Sequence, residues 1–234
     1  LHALSSQLGV PVTYAVGLPV ERTRPGRVVH AYLDWVEGGF QASPIRRLLE
    51  AGDLRPGRTR IYHAPAELAR RFRGLRIGWG RKRYRSQIRA ALAGLEEGGP
   101  RKWEDAEAFE RRRAQAEGEL KALRSILFPA LKATPAIPDR MGEGGAPVSP
   151  AELARGLRAF LRRVPRGDGA DLSARERINH VLERVEATLR RRTDFRAAAT
   201  VLRRHLKLNV RAPGPGGLDD PGAPWSSEGG HVHL

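Results

Sequence analysis

A mainly helical protein with short strands at both ends, belonging to an incomplete α/β sheet, is the fold class this sequence predicts. Three observations carry it. Apolar residues between about 25 and 205 recur at three- and four-residue spacing, the period of a helix that buries one face. Near the start, Val10, Val12, Tyr14 and Val16 alternate with Pro11, Thr13 and Ala15, which is the period of a strand. Near the end, Gly229 and Gly230 lead into His231, Val232, His233 and Leu234, again in alternation. Almost no strand pattern lies between the two. The 234 residues therefore read as an excised segment: one strand out, a long helical insertion and one strand back.

Taken in order, Leu1, Leu4 and Leu8 share a helical face that stops at Gly9, and Gly17 and Pro19 stop the first strand. Thr23 suits an N-cap for a helix entered near Pro25, with Val28, Val29, Tyr32, Leu33 and Val36 on its apolar face and Gly38-Gly39 at its end. Tyr32 and Trp35 are expected in the core. Ser43-Pro44 is expected to restart a helix with Ser43 as cap, burying Ile45, Leu48 and Leu49 up to Gly52, and Asp53 to Pro56 is a turn. The next helix starts near Pro65 and breaks at Gly74.

A long helical region is expected from Lys102 to Lys132. Its apolar positions are Trp103, Phe109, Leu120, Leu123, Leu127 and Phe128, and its sparse middle predicts packing at both ends with solvent between. Thr134 to Pro147 is a Pro- and Gly-rich joint. Ser149 to Glu152 is a capping box with Pro at the first turn, ahead of Leu153, Leu157, Phe160, Leu161 and Val164. Asp168 to Asp171 reads as a turn, Ser173 as the cap of a helix burying Ile178, Val181, Leu182, Val185 and Leu189, and His180 as a spectator beside that stripe. After Asp194 a last helix runs into a short strand, and Ala212 to Trp225 is a linker. The expected organisation is thus 1–24 in the α/β domain, 25–133 and 148–211 as two halves of the helical insertion, and 212–234 as linker and return strand.

Charge is the largest compositional signal: the net charge is +16 and the pI about 11.3. A surface this basic concentrates polyanions, and nucleic acid held by counterion release is the usual partner. All but five of the 42 cations are arginine, however, as coding bias toward GC would also produce. No run of eighteen apolar residues and no secretory leader is visible, and there is no cysteine for disulfides or thiolate metal sites. No membrane contact and a cytoplasmic location are expected.

The most charged window joins Arg70, Arg71, Arg73, Arg76, Arg81, Lys82, Arg83, Arg85 and Arg89, with Trp79 and Tyr84 between them and glycines at 74, 78 and 80. Glycine lets backbone amides approach an anion, flanking cations clamp phosphate, and aromatics among cations suit stacking on bases. The window lacks the Gly-Lys-Ser/Thr ending of a Walker A loop. The alternative is that Ile77 and Trp79 pack a helical junction while the arginines form a solvated rim. Arg203, Arg204, His205 and Lys207 form a second cluster with the same two readings. Glu119-Leu120-Lys121 matches half of a nuclease motif by letters, but no strand bearing the other half precedes it. His231 and His233 would share a strand face without a third ligand. No catalytic or metal-binding residue is assigned.

The run Leu8-Gly-Val-Pro-Val-Thr-Tyr-Ala-Val-Gly-Leu-Pro-Val20, then Thr23-Arg-Pro-Gly-Arg27, a helix carrying Leu33-Asp34-Trp35, the Ile77 to Tyr84 element IGWGRKRY and the closing GGHVHL together resemble a known family. They are similar to the second RecA-like domain of UvrD-type superfamily 1 helicases, and more closely to the AddB-type subunit of bacterial helicase–nucleases, of the PD-(D/E)XK nuclease family. The resemblance implies a helical insertion of the 2B type between strands of an incomplete RecA-like domain. It implies a DNA repair and recombination role in processing double-strand breaks, in a parent protein that belongs to an ATP-dependent exodeoxyribonuclease. It also implies a helicase partner subunit. No Walker A, Walker B or PD-(D/E)xK set lies within the chain, and the iron–sulfur cysteines of the AddB type would lie elsewhere, so this segment is expected to hold no cofactor and no catalytic residue. DNA is the expected partner, contacted through phosphates by Arg81, Lys82, Arg83 and Arg85 first, then Arg24 and Arg27. Two other classes stay open. A free-standing basic adaptor would pair its first strand within the chain, and a structural domain with coding-bias arginines would scatter its cations evenly.

Overall fold

A computed structural model describes residues 12–13, 18–56, 63–100, 102–137, 147–167, 169–210 and 232–233. The helical face of Leu1, Leu4 and Leu8, the linker at 212–225 and most of the two predicted end strands lie outside the described residues. Those that are described form eight helices: α1 Arg24–Glu37, α2 Ala42–Glu50, α3 Pro65–Gly74, α4 Arg81–Glu97, α5 Ala106–Ala133, α6 Pro150–Leu161, α7 Gly169–Thr188 and α8 Phe195–His205. Four two-residue strands accompany them: β1 Val12–Thr13, β2 Leu18–Pro19, β3 Asn209–Val210 and β4 Val232–His233. The mainly helical expectation holds, and no helix among the described residues is long and apolar enough to cross a membrane.

The strands pair in two separate ladders. β1 lies parallel to β4, with Val12 opposite Val232 and Thr13 opposite His233, so the two predicted end segments are neighbours. β2 lies antiparallel to β3, Leu18 opposite Val210, and the Val20 N–H extends the ladder to the Leu208 carbonyl at 2.8 Å. Leu18 and Pro19 were expected to end the first strand in a turn. They form a strand of their own because the chain leaving α8 supplies their partner.

Helix α1 is the centre of the core. Thr23 caps it as predicted, its hydroxyl accepting the Gly26 N–H at 3.2 Å, and a second cap comes from far away: the Asp171 carboxylate of α7 accepts the Arg24 N–H at 2.8 Å. Gly26 is required where it stands, because a Cβ there would sit 1.7 Å from the Val20 carbonyl of the preceding 3-10 turn. Val28, Val29, Tyr32, Leu33, Trp35 and Val36 are all buried, and α1 packs against α2, α6, α7 and α8. A single hydrophobic core runs through both halves of the helical region.

Trp35 organises the aromatic part of that core. Its ring stacks on Phe160 of α6 at 5.9 Å and meets Phe40 and Tyr84 edge-on at 5.0 and 5.5 Å. Its indole N–H donates to the Tyr84 hydroxyl at 2.7 Å, which in turn donates to the Phe40 carbonyl at 3.0 Å, so the buried polar chain is satisfied. Phe40 adopts φ 60°, a conformation uncommon outside glycine, and is held there by its buried ring and by its N–H on the Trp35 carbonyl at 2.7 Å.

Several expectations are corrected. Ser43 is not a cap: α2 begins at Ala42, whose N–H is taken by the Gly78 carbonyl at 2.8 Å, so a backbone contact from a distant loop replaces the side-chain cap. Helix α7 begins at Gly169, four residues before Ser173, so Asp171 lies in its first turn, from where its carboxylate reaches the start of α1. Helix α5 packs only over its second half, from Ala116 onward, and Trp103 ahead of it is 82 % exposed. The first half holds itself by exposed pairs such as Arg111 with Glu107 and Arg113 with Glu110, which need no neighbour.

Two predictions follow from the packing around α6. Gly156 lies inside that helix, where alanine would ordinarily gain about 1 kcal/mol. A Cβ there would stand 2.1 Å from the Tyr32 hydroxyl and 2.8 Å from Thr134 Oγ1, so Gly156→Ala is expected to lose about 1–3 kcal/mol in urea unfolding. Adding Tyr32→Phe, which deletes the colliding oxygen, should return part of that loss; simple additivity of the two changes would contradict the packing described. The second concerns the capping box at Ser149. Burial pushes the Glu152 carboxyl up, but the Ser149 N–H, the Arg192 guanidinium and the Ser149 hydroxyl outweigh it and hold the group below the usual range. A depressed carboxyl stabilises the fold above its unfolded value, about 4.3, and stops doing so as pH falls through its folded value. The wild type should exceed Glu152→Gln by about 1 kcal/mol at neutral pH, and the gap should close toward pH 3. A gap independent of pH would remove the carboxylate charge from the account.

Candidate nucleic-acid interface

The charged window becomes a loop and a helix. Residues 75–80 join α3 to α4, anchored by buried Leu75 and Ile77, with Arg76, Gly78 and Gly80 at φ 49°, 65° and 94°. The loop is tied to the α1–α2 turn by two backbone bonds, Gly80 N–H to the Gly39 carbonyl at 3.0 Å and Ala42 N–H to the Gly78 carbonyl. Gly80 then opens α4 with no side-chain cap and no acidic residue in its first turn. Arg81, Lys82 and Arg83 occupy that turn instead. Cations at the positive end of a helix dipole are unfavourable by about 0.3–1 kcal/mol each at low ionic strength, a tension that an anion would relieve.

Only Tyr84 and Ile88 of α4 are fully buried. Burial pushes the Tyr84 phenol well above its ordinary range, so it stays neutral and serves as a hydrogen-bonding post for Trp35. Lys82, Arg83, Arg85 and Arg89 lie on the exposed side of the helix. Arg83 places its guanidinium over Trp79, 5.0 Å from the ring centroid. Arg85 points the other way, over Phe128 of α5 at 5.7 Å, and Arg124 of α5 covers the same ring at 5.6 Å. The two helices run antiparallel, since the start of α4 meets the end of α5, and together they form one basic face.

The stretches that form it carry no acid. No aspartate or glutamate occurs from residue 68 to 95, or from 120 to 138, and these are the stretches that pack together here. Lys82, Arg83, Arg85, Arg89, Arg124 and Lys132 form no ion pair among the described residues. Elsewhere several cations are matched by acids, while others, such as Arg47, Arg155, Arg177, Arg184 and Arg204, are exposed singly. A cleft of about 600 Å³ between α6 and α7 contains Arg158 on Glu183 and Glu186, and Arg192 on Glu152. Arg203 of the second basic cluster is held by Asp34 and Glu37, which raise its already high pKa, while Arg204, His205 and Lys207 are exposed. Glu119, of the nuclease-like letters, is buried and receives Arg71 at 2.6 Å and Gln115 at 3.1 Å.

The six residues expected to face DNA therefore divide. Lys82, Arg83 and Arg85 are exposed on the basic face. Arg81 is turned inward: its guanidinium donates to the carbonyls of Pro135 at 2.7 Å, Thr134 at 2.8 Å and Leu131, closing the C-terminal end of α5. Arg27 grips the buried Asp53 carboxylate with two hydrogen bonds, at 2.9 and 2.8 Å, and the Arg24 Nε lies 3.4 Å from the same group. The bond to Asp53 raises the Arg27 pKa against the opposing effect of burial. Arg76, Arg89, Arg124 and Lys132 were not in the expected set. The absence of acid from 120 to 138 was the available signal for the last two, but only the pairing of α4 with α5 makes it one surface.

The Arg24–Arg27–Asp53 group generates an ordered prediction. Asp53 is 1 % exposed while its arginines are a third to a half exposed. Arg27→Met leaves a buried carboxylate with one counter-charge and should cost about 2–4 kcal/mol in urea unfolding. Asp53→Asn leaves two arginines that hydrate, and should cost less, about 1–2 kcal/mol. The reverse order would show that the carboxylate is not the group being neutralised.

Comparison with protein-family models, with curated proteins and with solved structures returned no match to this chain.

Proposed function

We propose that this chain is a non-catalytic, helical DNA-binding segment that holds the sugar–phosphate backbone on the face shared by α4 and α5. The observation that carries the reading is a local concentration of charge: Lys82, Arg83, Arg85, Arg89, Arg124 and Lys132 are exposed, form no ion pair among the described residues, and lie on two stretches without acid that pack together. Coding bias toward arginine gives no reason for acids to be missing from two stretches that pack side by side. Contacts of this kind are sequence-independent and derive their strength from counterion release.

The wider role follows the resemblance to AddB-type subunits: a 2B-like insertion of a DNA repair helicase–nuclease, guiding DNA during double-strand break processing beside a motor subunit. The parallel pairing of β1 with β4 supports it, since the helical region then leaves and re-enters one sheet at adjacent strands, as an insertion does. Among the described residues β1 and β4 pair with no other strand, and parallel pairs normally belong to larger, covered sheets. The same pairing also suits a free-standing basic adaptor. The full open reading frame separates the two, through an upstream GxxxxGK[ST] motif or a downstream PD-(D/E)xK motif with four cysteines.

The binding surface itself is tested by salt titration on oligonucleotides. The affinity should fall with log salt at a slope on the order of −3 to −5, corresponding to several neutralised phosphates. Combined Lys82→Glu, Arg85→Glu and Arg89→Glu should reduce affinity at least about tenfold and flatten that slope by about 0.7–0.9 per lost contact. Arg177→Glu with Arg184→Glu, exposed cations of α7, should change neither by as much. Equal effects from both sets would replace a defined face with diffuse attraction, and a shallow wild-type slope would end the proposal.

A further inference from the structure

We infer that Trp79 and Arg83 form a base-stacking platform at the edge of the basic face, so that the face favours nucleic acid with unpaired bases over uninterrupted duplex. The inference rests on the nucleic-acid reading above and adds to it the class of strand. Three large apolar side chains are exposed among the described residues, Trp79, Trp103 and Leu172, and Trp79 is the one that adjoins the basic face. Phosphate contacts alone have no use for an exposed indole. Bases do, because every base has a π-face to stack and a single strand leaves it accessible, whereas a duplex hides it between neighbouring pairs.

The platform is built rather than incidental. Ile77, two residues before Trp79, is buried and its carbonyl accepts the Trp79 N–H at 2.8 Å, and the flanking backbone is tied down by the bonds from Gly80 to Gly39 and from Ala42 to Gly78. Arg83, four residues on, sets its guanidinium 5.0 Å from the indole centroid, within the range of a cation–π contact. A base stacking on the exposed part of the indole would thus meet a ring that already carries a cation. The surroundings also select the occupant. Arg76, Lys82 and Arg83, all within four residues of Trp79 in the chain, are exposed, and no carboxylate lies within residues 68–95. An apolar protein partner would have to cover those cations, while a nucleotide brings its own phosphates to them.

The test uses the full chain with two labelled probes of equal phosphate number, an oligothymidylate and a hairpin duplex, each titrated at several salt concentrations. The wild type should bind the single strand about tenfold more tightly than the duplex. Trp79→Ala should lower single-strand affinity about tenfold with its salt slope unchanged, since no charge is removed, and should leave duplex affinity within about twofold. Trp79→Phe, which keeps a ring and the local packing, should retain most of the preference. A 2-aminopurine placed in the strand should lose fluorescence on binding the wild type and not on binding Trp79→Ala. Equal loss on both probes, no loss on either, or Trp79→Phe behaving as Trp79→Ala would overturn the platform while leaving the phosphate-binding face standing. If neither probe binds the wild type with a salt-dependent affinity, the face and the platform fall together.

Discussion

The enclosed indole of Trp35 is the constraint on which the rest of this structure depends. A side chain of that size can be buried completely only if its N–H finds an acceptor, because an orphaned polar group in an apolar interior costs about 1–3 kcal/mol. The acceptor is Tyr84, and Tyr84 in turn requires the carbonyl of Phe40. This short relay ties α1, the turn that ends it and the start of α4 into one unit. The same ring stacks on Phe160 and so fixes α6 against α1. Once Tyr84 is committed inward, the helical period decides what the remainder of α4 does: Ile88 follows it into the core, and Lys82, Arg83, Arg85 and Arg89 are left outside. The basic face is in this sense a consequence of the way the core is satisfied.

Electrostatics then sets two groups apart among the chain's many arginines. One serves as internal fasteners: Arg27 on Asp53, Arg71 on Glu119, Arg203 on Asp34 and Glu37, and Arg81 on three carbonyls at the end of α5. Guanidinium suits this task because its planar fork serves several acceptors at once while keeping its charge. These contacts satisfy buried carboxylates and helix ends that have no backbone partner. The second population, on α4 and the end of α5, has aromatic rings beneath it in place of acids. A ring supports a guanidinium by packing and quadrupole attraction without neutralising it, so the charge remains available to an external anion.

How far the sequence could be read depended on the range of the interactions involved. The helices, the caps at Thr23 and Ser149, and the buried stripe of α1 rest on contacts three or four residues apart, which a linear pattern displays. Misreadings occurred where a distant group replaced a local one. Asp171 left its own predicted turn to cap α1, the Gly78 carbonyl took over the start of α2, and the chain after α8 turned Leu18 and Pro19 into a strand. Trp103 misled by composition, since an aromatic residue beside a helical pattern usually packs and this one is left in solvent.

The amino-acid order alone determined that the chain is helical between two strand-like ends, that it is strongly basic, and that the window from Arg70 to Arg89 is its most concentrated positive stretch. Periodicity and charge are properties of neighbours along the chain and survive without a fold. Which cations are free was decided only by tertiary structure. Arg81 and Lys82 are adjacent in sequence and equal in charge, yet one is fastened to the end of α5 and the other faces solvent. The difference is 100° of helical rotation, set by which side of α4 carries Tyr84 into the core, and helices more than a hundred residues apart, α1 and α6, supply the rings that receive it or its partner Trp35.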